Sequence, residues 1–347
     1  MSHKVYIDAL NFGNFFFAKT KHTWSLKDPY ERVKLFVNAF KNENIEIIIF
    51  IDESVETDEA IDKWKSRREK EVQNEEKYMP QGMSYFLGDM FKNLGVKVYY
   101  SLDEDNDDTL AFFANADGAD VLSGDGDFYR YIDRKYKIYT DFNQNKLLAT
   151  GKIELLSNSE AREKYIIETR KNMMREIREP PNCVDINCNI PFVPILKKFK
   201  MYRRGVPSPL VRKLGYNPHN KIKSVRRAIY NHLFGQNENV VIFEEFPSWS
   251  ENDNRTVWLS ENVKLFNSNS EELKKINDLL KQEPDVIFKT YFPKEATALE
   301  FINNKKKVIF PPGIDFKQWQ KHCIACKSII YELYCIYNNK SLLSYFI

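Results

Sequence analysis

A chain of 347 residues can form one large domain or two ordinary ones, and 43% apolar with 14% aromatic content excludes a disordered polymer. The net charge of +3 hides a division: every charged residue from Asp103 to Asp127 is acidic, whereas Leu196 to Arg227 holds eleven Lys and Arg and no acid. That division suggests a site for cations beside a surface for a polyanion.

The opening "MSHKVYIDAL" passes directly into a strand pattern, without the basic and apolar regions of a secretory leader. Its first strand, in "KVYIDALNF", ends at Asp8. "SLKDPYERVKLFVNAFKN" reads as a helix with Asp28 as cap and Pro29 in the first turn. The run "IEIIIFIDES" is apolar without alternation, as a parallel strand covered on both faces must be, and it ends in Asp52 and Glu53. Residues 57–93 are charged and mostly helical in pattern. "GVKVYY" is a third strand, "DDTLAFFANA" a short helix, "ADVLSGDGD" a fourth strand with its exit loop, and "YKIYTDF" a fifth.

This alternation predicts an α/β domain with a doubly wound, mostly parallel sheet over residues 1–150. A charged linker helix from 159 to 179 follows within 151–182 and stops at Pro180. Residues 183–347 form a basic, mixed α/β region with no fold assigned. The longest aliphatic run is of strand length, and Lys327, Glu332 and Lys340 break up the aromatic C-terminal segment, so no membrane span is expected. Five cysteines indicate no disulfide framework, and a nuclear or cytoplasmic location is the expectation.

In an open parallel sheet, ligands collect outside the carboxyl ends of the strands. Asp8, Asp52, the Asp105 to Asp108 run, and Asp125 with Asp127 follow four successive strands to that edge. A single aspartate after a strand is usually a turn former or helix cap. Four strands delivering acids together are another matter, because packed like charges require cations to neutralise them. Carboxylate oxygens are hard ligands that suit Mg²⁺ or Mn²⁺. Two such ions about 4 Å apart can activate water at a phosphodiester. The stretch "DEDNDDTLAFFA" also begins like a calcium loop, but Asp108 stands where glycine is required and Ala114 where the closing glutamate is required. Gly124 and Gly126 are expected to let the backbone turn so that Asp125 and Asp127 face the same ions. Asp117 and Asp120 read as turn and strand-entry residues.

The stretches "YIDALNF", "IIFIDES", "DNDDTLAFFA" and "DVLSGDGDFYRY", in this order, resemble the acidic motifs of the PIN-like nuclease superfamily, in its flap-endonuclease and XPG branch. The resemblance covers about the first 145 residues. It implies that Asp8, Asp52, Asp125 and Asp127 hold two metal ions. Either Asp105 with Asp107, or Asp107 with Asp108, would complete the set, and Asn11 matches a polar position after the first acid. The family places a helical arch between the second and third strands. "AIDKWKSRREKEVQNEEKY" fills that interval, so Lys63, Lys65, Arg67 and Arg68 match the phosphate-gripping bases of the arch. The chain departs from the pattern after Asp141, where neither the Gly-rich duplex-binding motif nor its further acid is present. "SVRRAIYNHLFG" followed by "VVIFEEF" is similar to asteroid-like members, some of which have lost catalytic acids and act as RNA-binding or adaptor proteins.

In the basic segment, Lys197, Lys198, Arg203, Arg204, Arg212, Lys213, Arg226 and Arg227 are the candidate contacts to DNA or RNA. Phe199, Tyr202 and Tyr216 could stack on unpaired bases. Cys323 and Cys326 could join Cys183 and Cys188 around a structural zinc, but buried free thiols suit such loose spacing better. The expectation is a metal-dependent nuclease, a hydrolase of DNA or RNA, with a catalytically inactive adaptor as the alternative.

Overall fold

Strand β1 (His3–Asp8) lies at the centre of a five-stranded, all-parallel sheet of order β3-β2-β1-β4-β5, formed with β2 (Ile45–Asp52), β3 (Lys97–Ser101), β4 (Asp120–Leu122) and β5 (Ile138–Tyr139). This computed structural model describes residues 3–18, 27–52, 58–73, 82–101, 106–179, 196–197, 200–202, 208–234, 241–250 and 252–338. The continuous aliphatic run of β2 is buried from Ile47 to Ile51, as its lack of alternation requires. Val5, Ile7, Ile49 and Ile51 face one layer, with helix α1 (Lys27–Asn42), helix α3 (Met83–Asn93) and a cluster of phenylalanines. Tyr6, Ile48, Phe50 and Val121 face the other, beneath helix α4 (Asn106–Asp117). Helices on both faces make the domain compatible with a doubly wound α/β fold.

Two local readings change. "YKIYTDF" divides into β5 and a separate strand β6 (Asp141–Phe142), which pairs with β7 (Leu155–Leu156) away from the main sheet. The linker helix is shorter than expected: α5 spans Glu160–Thr169, and Met174 is already extended. The backbone leaves the helix where Arg170 and Arg175 reach across to carboxylates, so ion pairing overrides the helical pattern of that stretch.

The C-terminal region carries a second sheet of order β11-β10-β9-β8. Its long hairpin is β10 (Val241–Ser250) with β11 (Arg255–Lys264), and β9 (Lys200–Tyr202) and β8 (Leu196–Lys197) complete it. Around it stand α6 (Ser208–Leu214), α7 (Lys223–Phe234), α8 (Glu271–Leu280), α9 (Pro284–Tyr291), α10 (Pro293–Asn303) and α11 (Phe316–Asn338). Their apolar faces join the layer on the Val5 and Ile7 side of the parallel sheet in one continuous core. Helix α2 (Asp58–Gln73), the segment matched to the arch, packs on the hairpin. Among the described residues no helix is long and apolar enough to cross a membrane.

Candidate metal centre

The strand connections run β1 to β2 to β3 in one direction and return past β1 to β4 and β5 in the other, so the order reverses between β1 and β4. That reversal opens a crevice at the carboxyl ends of the strands. Register places the acids there: Asp8 lies beside Phe50, two residues short of Asp52, and Ile7 lies beside Leu122, just before the Ser123–Asp127 turn. A cleft of about 350 Å³ is lined by Asp8, Asn11, Asp52, Lys63, Arg67, Asn106, Asp107, Asp125 and Asp127.

Asp107, in the first turn of α4, meets Asp125 and Asp127 so that one carboxylate oxygen of each lies within 4.8 Å of the others. These three half-buried acids could hold a metal ion. The turn that presents them is internally bonded: the Asp125 amide donates to Ser123 Oγ (3.1 Å), and the Asp127 amide donates to Asp125 Oδ1 (2.9 Å). Gly124 and Gly126 are not required for a left-handed backbone, since neither has a positive φ. A Cβ on Gly126 would instead lie 3.0 Å from the Arg170 guanidinium, so this glycine makes room for an arginine.

Asp8 is only 6% exposed and accepts hydrogen bonds from Asn11 Nδ2 and from Ser123 Oγ (3.3 Å). Burial, reinforced by the charges of Asp52 and Asp125, pushes its carboxyl up to about 7. Asn106 is 3% exposed, and neither its amide nitrogen nor its oxygen has a hydrogen-bond partner among the described residues. A cleft wall with an unpaired amide oxygen and a carboxyl that resists ionisation fits a bound cation, which would satisfy both oxygens, and the all-oxygen donor set suits a hard ion.

The Asp8 shift has a measurable consequence. The folded state keeps this proton up to about pH 7, whereas the unfolded chain releases it near the ordinary value of 3.8. Asp8 therefore supports the fold at acidic pH, and that support is lost as pH rises through 7. With chelator present, stability should fall by roughly 3 kcal/mol between pH 5 and pH 8 because of this group. Urea unfolding of wild type and Asp8→Asn at both pH values tests this, and equal pH slopes in the two proteins would refute it.

Arginines neutralise part of the acidic edge. Arg67 Nη1 lies 2.8 Å from Asp52 Oδ2, Arg170 Nε 2.8 Å from Asp127 Oδ1, and Arg130 Nη1 3.2 Å from Asp127 Oδ2. Asp108 does not line the cleft. Its Oδ1 accepts from Arg130 (3.2 Å), the Tyr131 hydroxyl and Arg175, which ties α4 to the segment after α5. Among the described members of the two candidate pairings, Asp107 is brought to the site and Asp108 is not; Asp105 lies outside the described residues.

The four bases of α2 separate by helical face. Lys63 and Arg67, one turn apart, enter the cleft. Lys65 instead pairs with Glu245 (2.7 Å) and lies 5.0 Å from the Trp258 ring, and buried Arg68 pairs with Glu71 (3.2 Å) over Trp64. Lys65 thus braces the helix on the hairpin, while Arg68 is held within the helix by Glu71 and Trp64.

In the basic segment, Arg212 and Lys213 are exposed on α6, and Arg227 donates to the Lys264 carbonyl while covering Phe266. Arg226, expected on the nucleic-acid surface, is buried against Glu244. Tyr216 turns its hydroxyl inward to Glu295, and Lys221 Nζ lies 4.0 Å from the centre of its ring. Lys197 belongs to β8, and Lys198, Arg203, Arg204 and Phe199 lie outside the described residues. Cys323 and Cys326 are buried free thiols on α11, while Cys183 and Cys188 lie outside the described residues.

Sequence reasoning missed Asn106, Arg130 and Arg170. Arg130 lies within the quoted "DVLSGDGDFYRY", where it carries no assigned role, and Arg170 comes from a segment read only as a charged helix. Comparison with models of known protein families finds no match, and neither does comparison with curated proteins.

Proposed function

We propose that the chain is a divalent-metal-dependent phosphodiesterase of PIN-like, flap-endonuclease type, cutting DNA or RNA with Mg²⁺ or Mn²⁺. The observation that supports this most is the convergence of Asp107, Asp125 and Asp127 with Asp8 and Asp52 at the reversal point of a parallel sheet, with two cations of α2 across the cleft. When bound, the ions would supply activation of water and Lewis-acid stabilisation of charge at phosphorus. Asp107, Asp125 and Asp127 would hold one ion, and Asp8 and Asp52 would help place a second. Lys63 and Arg67 would orient the phosphate and stabilise its developing charge. Arg67 would exchange its bond with Asp52 for one with the phosphate. The Lys63 and Arg67 side chains are exposed on the cleft wall.

The ion pairs at Asp52 and Asp127 favour a second reading, an adaptor whose arginines have replaced the ions. A panel of single-stranded, duplex and flapped DNA and RNA, incubated with Mg²⁺ or Mn²⁺ and with chelator, decides between them. Metal-dependent cleavage that Asp125→Ala removes is the expected result. Nucleic-acid binding without cleavage, at an affinity unchanged in Asp125→Ala, would establish the adaptor.

A further inference from the structure

A second cluster of donor atoms lies in the C-terminal helices. Glu295 stands in the first turn of α10, and His322 and Cys326 lie one turn apart on α11. All three side chains are buried, and one ligand atom from each falls within 4.8 Å of the others. His322 Nε2 is the hub: it lies 3.4 Å from Cys326 Sγ, 3.5 Å from Glu295 Oε1 and 2.8 Å from the Tyr216 hydroxyl. The Tyr216 hydroxyl in turn donates to Glu295 Oε1.

Hydrogen bonding alone does not account for this arrangement. A neutral imidazole nitrogen offers one proton or one lone pair, so Nε2 can serve only one of its three neighbours. Glu295 Oε2 is buried with no partner among the described residues. A buried carboxylate left in this condition is costly. The spacing has a simpler reading. A tetrahedral zinc with Zn–N near 2.0 Å, Zn–O near 2.1 Å and Zn–S near 2.3 Å has donor-to-donor edges of roughly 3.3–3.6 Å. The separations from His322 Nε2 to Cys326 Sγ and Glu295 Oε1 lie in that interval.

We infer that Glu295, His322 and Cys326 form a buried zinc site with three protein ligands, the Tyr216 hydroxyl donating to the Glu295 ligand. Binding displaces the Cys326 thiol proton to solvent, and thiolate plus carboxylate then balance the 2+ charge in an apolar interior. The ion would join α10 to α11. It is separate from the acidic cleft in both residues and ligand chemistry, since sulfur and imidazole select zinc over Mg²⁺.

The test uses the full chain. Purified protein should retain one equivalent of zinc after dialysis, and an Asp107→Asn, Asp125→Asn double variant should retain it too. Protein stripped and refilled with Co²⁺ should show thiolate-to-cobalt charge-transfer absorption. That absorption should persist in Cys323→Ser and vanish in Cys326→Ser, with zinc affinity lower by about 100-fold or more. Folded wild type that takes up Co²⁺ without the charge-transfer band, or takes up none, overturns the site even if Cys326→Ser does not fold. A band that survives in folded Cys326→Ser overturns it as well.

Discussion

Asp107→Asn is expected to lower metal-dependent phosphodiester hydrolysis on the order of 100- to 1,000-fold, while Asp108→Asn leaves the rate nearly unchanged. The two aspartates are adjacent in sequence and chemically identical, so the contrast isolates direction. Asp107 meets Asp125 and Asp127, whereas Asp108 accepts from Arg130, Tyr131 and Arg175. The effect of Asp108→Asn should fall on stability, by about 1–3 kcal/mol, because Arg130 is buried and loses one of its anionic partners. Initial rates with Mg²⁺ and thermal melts of both variants provide the check. Equal losses of rate would mean that the side chains share a role, contrary to the observed geometry.

The larger effect on stability belongs to Arg226. Its guanidinium grips Glu244 with two bonds, Nε to Oε1 at 2.7 Å and Nη2 to Oε2 at 2.9 Å, and Tyr230 donates to the same carboxylate. The Arg226 and Glu244 side chains are 4% and 0% exposed. Arg226→Ala leaves Glu244 charged in an apolar setting and should cost roughly 3–5 kcal/mol. Replacing both partners, as Arg226→Met with Glu244→Leu, should cost far less, since no unpaired charge remains. Urea unfolding measures both. Nucleic-acid affinity of folded Arg226→Lys should match wild type. A marked loss of affinity would return this arginine to the binding surface.

The parallel sheet was legible because two signals agreed: uninterrupted aliphatic runs such as Ile47–Ile51, and helical segments of suitable length between them. The acidic edge was legible for the same reason, since Asp8 and Asp52 end their strands and strand ends fall together in a parallel sheet. Direction within a helix was not legible. Charge pattern alone does not say that Lys63 and Arg67 enter the cleft, that Lys65 faces a hairpin nearly two hundred residues away in sequence, or that Arg68 is buried. Nor does it distinguish Arg226, which is paired inside, from Arg212, which is exposed on α6. Arg170 and Arg130 were hidden because their partner, Asp127, is remote from Arg170 in sequence, and because Arg130 belongs to a turn without a repeating pattern. Long-range ion pairs depend on the packing of whole elements, which composition and periodicity do not encode. The donors around His322 escaped notice for a related reason: a search for cysteine pairs passes over a set that mixes one thiol, one imidazole and one carboxylate.

Helix α2 has two working edges. One carries Lys63 and Arg67 over the acids; the other is fastened to the hairpin by the Lys65–Glu245 pair, by Trp258 Nε1 donating to Glu69 at 2.7 Å, and by Trp64 against Trp258. The hairpin thus acts as a fixed jaw mount: the height of the two cations above the carboxylates is set by residues near 245 and 258. The parallel sheet is therefore not a detachable unit: removing the C-terminal half would free the helix that closes over the acids and strip away part of the core behind the sheet that carries them.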